Sequence, residues 1–330
     1  MLDKISKKII DHPALQAWPD IEAIISKRKP GILALFDIAY MATGHKDFEL
    51  LPIQAAIGCF VVNCILIDDI LDGDEKGAWK TTGVGSVANL TAALHARQSL
   101  LIHEANCSEH KKQIVSLYMS QMELALAWQQ QIGKAPQLSL EHYWKVVDGK
   151  TSNVCGVAMK LGAVLGEADA EQMDILYDVG HLMGDIGQVS NDLRGAFENQ
   201  VNPDWHTPAC SLPILLALTT SHSQAEELKQ MIHETISPGK ILQSAQAILI
   251  ESGAVAQCCD QIANKLQSLL TKLCACQLAG KQHLHASIGE DIQHAIMWVK
   301  KLEIDLLDHT TGTLDEVSKG VASLLGDLQK

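Results

Sequence analysis

The sequence predicts an all-α fold, organised as a single large helical bundle, and three observations carry that prediction. Runs that alternate with period two are scarce, so strand signals are nearly missing. The β-branched residues lie inside Ala- and Leu-rich segments of helical spacing. Hydrophobic residues make up 47% of the 330, enough to bury a sizeable core. No Gly/Ser linker or low-complexity tract divides the chain, so one domain over 1–330 is expected, with 285–330 as extra C-terminal helices.

In chain order, apolar residues at helical spacing predict helices over about 3–16, 19–28, 31–43, 50–72, 86–106, 109–132, 140–166, 170–198, 207–221, 223–236, 240–251, 254–280, 285–308 and 313–328. The first opens on "MLDKISKKII", where charges alternate with apolar residues and nothing reads as a cleavable secretory signal. The fourth contains the longest uncharged run, Leu51 to Ile67, which is slightly short for a membrane span and carries Gln54 and Asn63; no transmembrane segment is predicted. Ser223 to Glu226 reads as a capping box, and Pro238-Gly239 breaks the chain before the next helix. The last two helices are amphipathic and suited to cap the bundle or join a dimer interface.

The formal charge of −13 and a pI near 5.5 argue against nucleic acid as a partner, because neutralising phosphates needs a basic face. An anionic substrate would need local cations or bound metal. Nine scattered cysteines, mostly in apolar stretches, read as buried free thiols in a reducing compartment, and a cytoplasmic location follows.

The chemistry concentrates at "CILIDDILDGDEKGAWK", residues 64–80, where an apolar helix stops at Asp68, Asp69 and Asp72. Positions i and i+4 share a helix face, so Asp68 and Asp72 project together with Asp69 one step round. Carboxylates near a helix C-terminus oppose the macrodipole, which weakens a purely structural motive. Such a pair suits Mg²⁺, which uses one or two protein carboxylates and completes its octahedron with substrate phosphates and water. "MGDIGQVSNDLRGAF", residues 183–197, repeats the 0, 1, 4 spacing at Asn191, Asp192 and Gly195, with one carboxylate and one amide oxygen. Two such clusters facing each other across a cavity would hold a metal-bound diphosphate.

These motifs resemble those of the trans-isoprenyl diphosphate synthase (polyprenyl synthetase) family, all-α enzymes with a central cavity that ionise allylic diphosphates with Mg²⁺. "DDILD" resembles the first aspartate-rich motif and "GQVSNDLRG" stands in place of the second. "YWKVVDGKTSNVCGVAMKLGAVLG" resembles the helix whose Lys-Thr pair, here Lys150 and Thr151, lies near the substrate diphosphate. "SLPILLAL" and "LIESGAVAQ" resemble later segments, so the likeness runs from about residue 26 to about 280.

The resemblance implies that Asp68, Asp69, Asp72, Asn191 and Asp192 bind metal. It makes Lys150 a fixed cation for the departing diphosphate with Thr151 near that diphosphate, Gln188 a holder of the carbocation side or of the diphosphate through its amide, and Arg194 a compensation for the missing carboxylates. Phe60, Asn63 and Cys64, one and two turns before the first motif, would set prenyl chain length at C15 or C20. A homodimer is implied as well.

The family pattern is incomplete. No arginine pair follows the first motif, only Lys76 and Lys80; "SKRKP" puts Ser26 where a pocket lysine is expected, with Lys27 beside it; and the expected histidine position falls at Val61. Charge-assisted hydrogen bonds are worth roughly 1.5–3 kcal/mol each. Losing two or three would weaken isopentenyl diphosphate binding by roughly 10²- to 10⁶-fold.

The expected function is therefore ionisation of an allylic prenyl diphosphate and transfer of the cation to an acceptor other than isopentenyl diphosphate. Trp79 and the short spacer are similar to bacillar peptide prenyltransferases. The alternatives are a class I terpene synthase that cyclises the substrate, a chain-elongating synthase, and a non-catalytic regulatory subunit. An aromatic content of 4% leans away from cyclisation, where aromatic faces shield cations.

Overall fold

In the computed structural model, residues 2–18, 20–26, 31–45, 49–129, 139–207, 211–233, 239–307 and 312–326 are described, and among them there is no strand. The protein is all-α. The chain gathers into two compact units, Met1–Ala127 with Val157–Tyr177, and Trp128–Gly156 with Asp178–Lys330. The helices Asn153–Leu165 and Ala170–Ala196 each contribute to both.

The first unit is built on the helix Leu51–Leu71, which is apolar around its whole circumference and buries Ile53, Ala55, Ala56, Ile57, Cys59 and Phe60 completely. By length and composition this helix is able to cross a membrane, yet 72% of its most apolar window is buried within the protein, as in a core helix. It packs against Val84–Glu104 and Leu2–Ile10. Arg97, buried on Val84–Glu104, closes the C-terminal end of Leu2–Ile10: Nε donates to Ile9 O at 3.2 Å, Nη2 to Lys8 O at 2.9 Å, and Nη1 meets Glu104 at 2.6 Å. The helix expected over 3–16 ends at Ile10 because Pro13 opens a new turn, with His12 Nδ1 accepting from the Ala14 amide.

The second unit has Leu212–Thr219, almost wholly buried, against Ala254–Ala275; Lys281–Leu307 and Gly312–Gly326 also pack on Ala254–Ala275 and on each other. The cap of Ala225–His233 differs from the expected box: His222 Nδ1 accepts from the Gln224 amide at 3.3 Å, while Glu226 pairs with Lys229. The largest departure lies in the segment expected as one helix over 140–166. Leu140–Val147 passes into a π-helical turn, Asp148–Ser152, before α-geometry resumes at Asn153. Single π-turns recur at functional sites because they widen a helix and re-aim its side chains. This turn carries Lys150 and Thr151.

Candidate active site

In the first unit the apolar helix ends at Leu71 with Asp72 as its C-cap, the Asp72 amide still donating to Asp68 O at 2.8 Å. The three carboxylates differ in exposure: Asp68 is half-buried, Asp69 is buried at 7%, and Asp72 is exposed. Gly73 then turns with φ +67°, and the Asp74 amide donates back to Asp69 O at 2.9 Å. The following loop lies against the motif. A Cβ on Gly77 would come 2.6 Å from the Trp79 ring and 2.9 Å from Asp69 Cβ, so glycine is what lets the indole rest there.

Lys80 sits 4.5 Å over the Trp79 ring and 2.6 Å from Glu75, so its charge is already engaged. A cavity of about 310 Å³ lined by Asp20, Ile24, Leu66, Lys76, Thr81 and Thr82 opens beside this loop. Of the residues expected to set chain length, Phe60 is fully buried, Asn63 is 4% exposed with no partner for Oδ1 among the described residues, and Cys64 is half-buried. Lys27 and the rest of "SKRKP" up to Pro30 lie outside the described residues, as does Cys210.

In the second unit a polar ladder runs along one face of Ala170–Ala196, at 178, 181, 185, 188 and 192, which are three or four apart and so share that face. Asp178 meets Lys272; His181 Nε2 lies 2.7 Å from Asp148 Oδ1. Asp185 accepts from Ser152 Oγ at 2.5 Å and pairs with Lys265 at 2.7 Å, and Lys265 stands 4.4 Å over the Trp144 ring. Thr151 Oγ1 donates to Gln188 Oε1 at 3.0 Å, and Gln188 Nε2 donates to Asp192 Oδ1 at 2.8 Å. Asp192 Oδ2 accepts from the Tyr143 hydroxyl at 2.6 Å and from the Leu212 amide at 2.9 Å.

Burial raises the Asp192 carboxyl to about 6, against those hydrogen bonds and the nearby Lys150 charge, which all pull it down. Tyr143, buried beside it, is pushed well above its ordinary value. The expected pair Lys150 and Thr151 therefore stands next to Gln188 and Asp192. Asn191, by contrast, is exposed, with Arg194 Nη1 at 3.5 Å from its Oδ1 and the Arg194 guanidinium 5.6 Å from the Trp298 ring.

Tyr143, Asp185 and Lys265 were not legible as site residues in the sequence. The available signal was Tyr143 itself: a tyrosine in a buried helix turn needs a partner for its hydroxyl. Among the described residues no three of His, Cys, Asp and Glu gather closely enough to hold a metal unaided.

A sequence profile described as polyprenyl synthetase matches residues 27–249, more than half of the chain. The protein belongs to the polyprenyl synthetase family. Within that family, the chain is 28% identical over 209 residues to the geranylgeranyl diphosphate synthase of Mycobacterium tuberculosis, covering 59% of this chain and 60% of that one. The match thus spans less than two thirds of that relative's length. Among solved structures, a geranylgeranyl pyrophosphate synthase superposes with a TM-score of 0.78 at 18% identity, covering 91% of this chain and 96% of the other. A polyprenyl synthase from Caulobacter crescentus CB15, complexed with calcium and isoprenyl diphosphate, gives 0.70 at 19% identity, over 85% of this chain and 89% of that one. These likenesses establish the fold of the family.

Proposed function

We propose that the protein is a Mg²⁺-dependent prenyltransferase that ionises an allylic prenyl diphosphate and couples the cation to isopentenyl diphosphate, releasing diphosphate. The observation that carries this is the Asp68 and Asp72 pair on one face of a core helix end, in a chain of the polyprenyl synthetase family. Chain elongation moves ahead of the acceptor favoured by the sequence, because the relative in that family is named a diphosphate synthase.

When bound, Mg²⁺ neutralises the diphosphate and makes it a better leaving group. Asp68, Asp69 and Asp72 are the residues proposed to hold it in the first unit. Lys150 supplies a fixed positive charge to the departing diphosphate. Thr151 and Gln188 turn oxygen lone pairs and amide dipole toward positive charge as it develops. Phe60, Asn63 and Cys64 limit the prenyl tail to C15 or C20; turnover of C10 substrates alone would count against that assignment. The same family reading carries a cytoplasmic homodimer, which sedimentation velocity on the purified protein tests.

A second reading, transfer to an acceptor other than isopentenyl diphosphate, is favoured by one observation. The loop after the first motif offers no arginine pair, and Lys80 there is engaged by Glu75 and Trp79.

The deciding experiment incubates the protein with Mg²⁺ and geranyl, farnesyl or geranylgeranyl diphosphate, with and without isopentenyl diphosphate. A longer prenyl diphosphate supports elongation. Hydrocarbon or terpene alcohol without an acceptor indicates cyclisation, and consumption only with an added nucleophile indicates the second reading. No turnover, with Asp68→Ala leaving diphosphate binding unchanged, would sink the enzymatic reading in favour of a regulatory subunit.

A further inference from the structure

We infer that Asp192 is a positioning residue and not a metal ligand: locked by Tyr143, its buried carboxylate sets the direction of the hydrogen-bond chain that ends on the Thr151 hydroxyl. This rests on the reading above, in which Thr151 and Gln188 face the reacting substrate.

A carboxylate has about four lone-pair positions. At Asp192 three are taken, by the Tyr143 hydroxyl and the Leu212 amide on Oδ2 and by Gln188 Nε2 on Oδ1. The residue is 2% exposed. Mg²⁺ gives up its water reluctantly and keeps several in most protein sites, which an enclosed carboxylate does not accommodate. The adjacent Asn191 is exposed, so the two neighbours of the second motif point to different tasks.

The direction of the chain follows from donor chemistry. An ionised carboxylate only accepts, so the Gln188 amide must turn its NH₂ group to Asp192 and its oxygen to Thr151. The Thr151 hydroxyl then spends its hydrogen on Gln188 Oε1, at 3.0 Å, and presents lone pairs to whatever lies beyond. With Asn in place of Asp192 the amide of Gln188 loses its reason to hold that orientation. Tyr143 keeps the carboxylate in place through its hydroxyl.

The test compares the full-length protein with Tyr143→Phe, Asp192→Asn and the double variant. Three readouts are needed: calorimetric titration of Mg²⁺ in the presence of inorganic diphosphate, steady-state kinetics with farnesyl and isopentenyl diphosphates, and thermal unfolding. A positioning role predicts that both single variants lower kcat by about tenfold or more while KM and the Mg²⁺ titration shift by less than about threefold. It also predicts that the double variant loses less kcat and less Tm than the two singles summed, as for groups acting as a unit. A tenfold or greater weakening of the Mg²⁺ titration by Asp192→Asn, with Tyr143→Phe indistinguishable from wild type, would overturn the inference.

If Asp192→Asn does not fold, Tyr143→Phe decides alone by its split of kcat from KM. If the wild type turns over no substrate, the proposed function falls, and the Tm cycle still judges the pairing: additive losses reject it and sub-additive losses support it.

Discussion

The Tyr143 hydroxyl donates to the Asp192 carboxylate across 2.6 Å, with both residues buried, and through Gln188 the bond reaches the Lys150-Thr151 turn. A buried acid held this way ties the stability of the fold to pH. The Asp192 carboxyl is raised to about 6 from 3.8. Between those values the folded chain holds a proton that the unfolded chain has released. The contribution is therefore fully present below the unfolded value and is lost as pH rises through about 6. Thermal unfolding followed from about pH 4 to about pH 8 should show Asp192→Asn losing less stability than wild type over that window. Parallel curves would refute the assignment.

Gly184→Ala tests the approach of two backbones. A Cβ there would lie 2.6 Å from Ser152 Cα, and backbone cannot step aside as a side-chain tip can. Overpacking of about 1–3 kcal/mol is expected, seen as a lower Tm. Gly187→Ala, with open space around its Cβ, is the control and should unfold close to wild type.

Gly77→Ala addresses the first motif in the same way. The new methyl would meet the Trp79 ring at 2.6 Å and Asp69 Cβ at 2.9 Å, so the loop must lift from the motif. Raised Mg²⁺ half-saturation with Tm within a few degrees is the expected result, read by turnover against metal concentration. An unchanged metal requirement would mean that the loop does not support the carboxylates.

Thr151→Val keeps the shape of the residue and removes its hydroxyl, leaving Gln188 Oε1 without the donor at 3.0 Å. Turnover should fall by about 10- to 100-fold with a smaller change in KM, if the hydroxyl acts mainly on the transition state. A change confined to KM would assign Thr151 to substrate binding alone.

Much of the fold could be read from the chain because helices announce themselves locally. Helices expected over 240–251 and 170–198 appear as Lys240–Glu251 and Ala170–Ala196, since Gly239 before the first and apolar spacing along both are near-neighbour signals. The π-turn at Asp148–Ser152 was invisible for the opposite reason. Its surroundings are set by distant partners, with Asp185 and Gln188 bonded to Ser152 and Thr151 more than thirty residues away. At the site, the spacing of Asp68 and Asp72 pointed to a shared face, whereas the bond between Thr151 and Gln188 could not be read from the chain. The sequence could not distinguish Asn191 from Asp192, because adjacent residues on a helix differ by about 100° in direction and only tertiary packing decides which one is enclosed.

The close approach of Gly180 and Gly184 to the chain at Cys155 and Ser152 has a consequence for precision. A Cβ on Gly180 would fall 2.4 Å from Cys155 O, so two consecutive turns of one helix meet main chain where other residues would interpose a methyl group. Side-chain spacers flex with every rotamer change; backbone against backbone has no such play. The contact works as a fixed stop, in the way a machinist's gauge block sets a gap. The donor–acceptor separations between Ser152 and Asp185, and between Thr151 and Gln188, inherit their tolerance from two missing methyls.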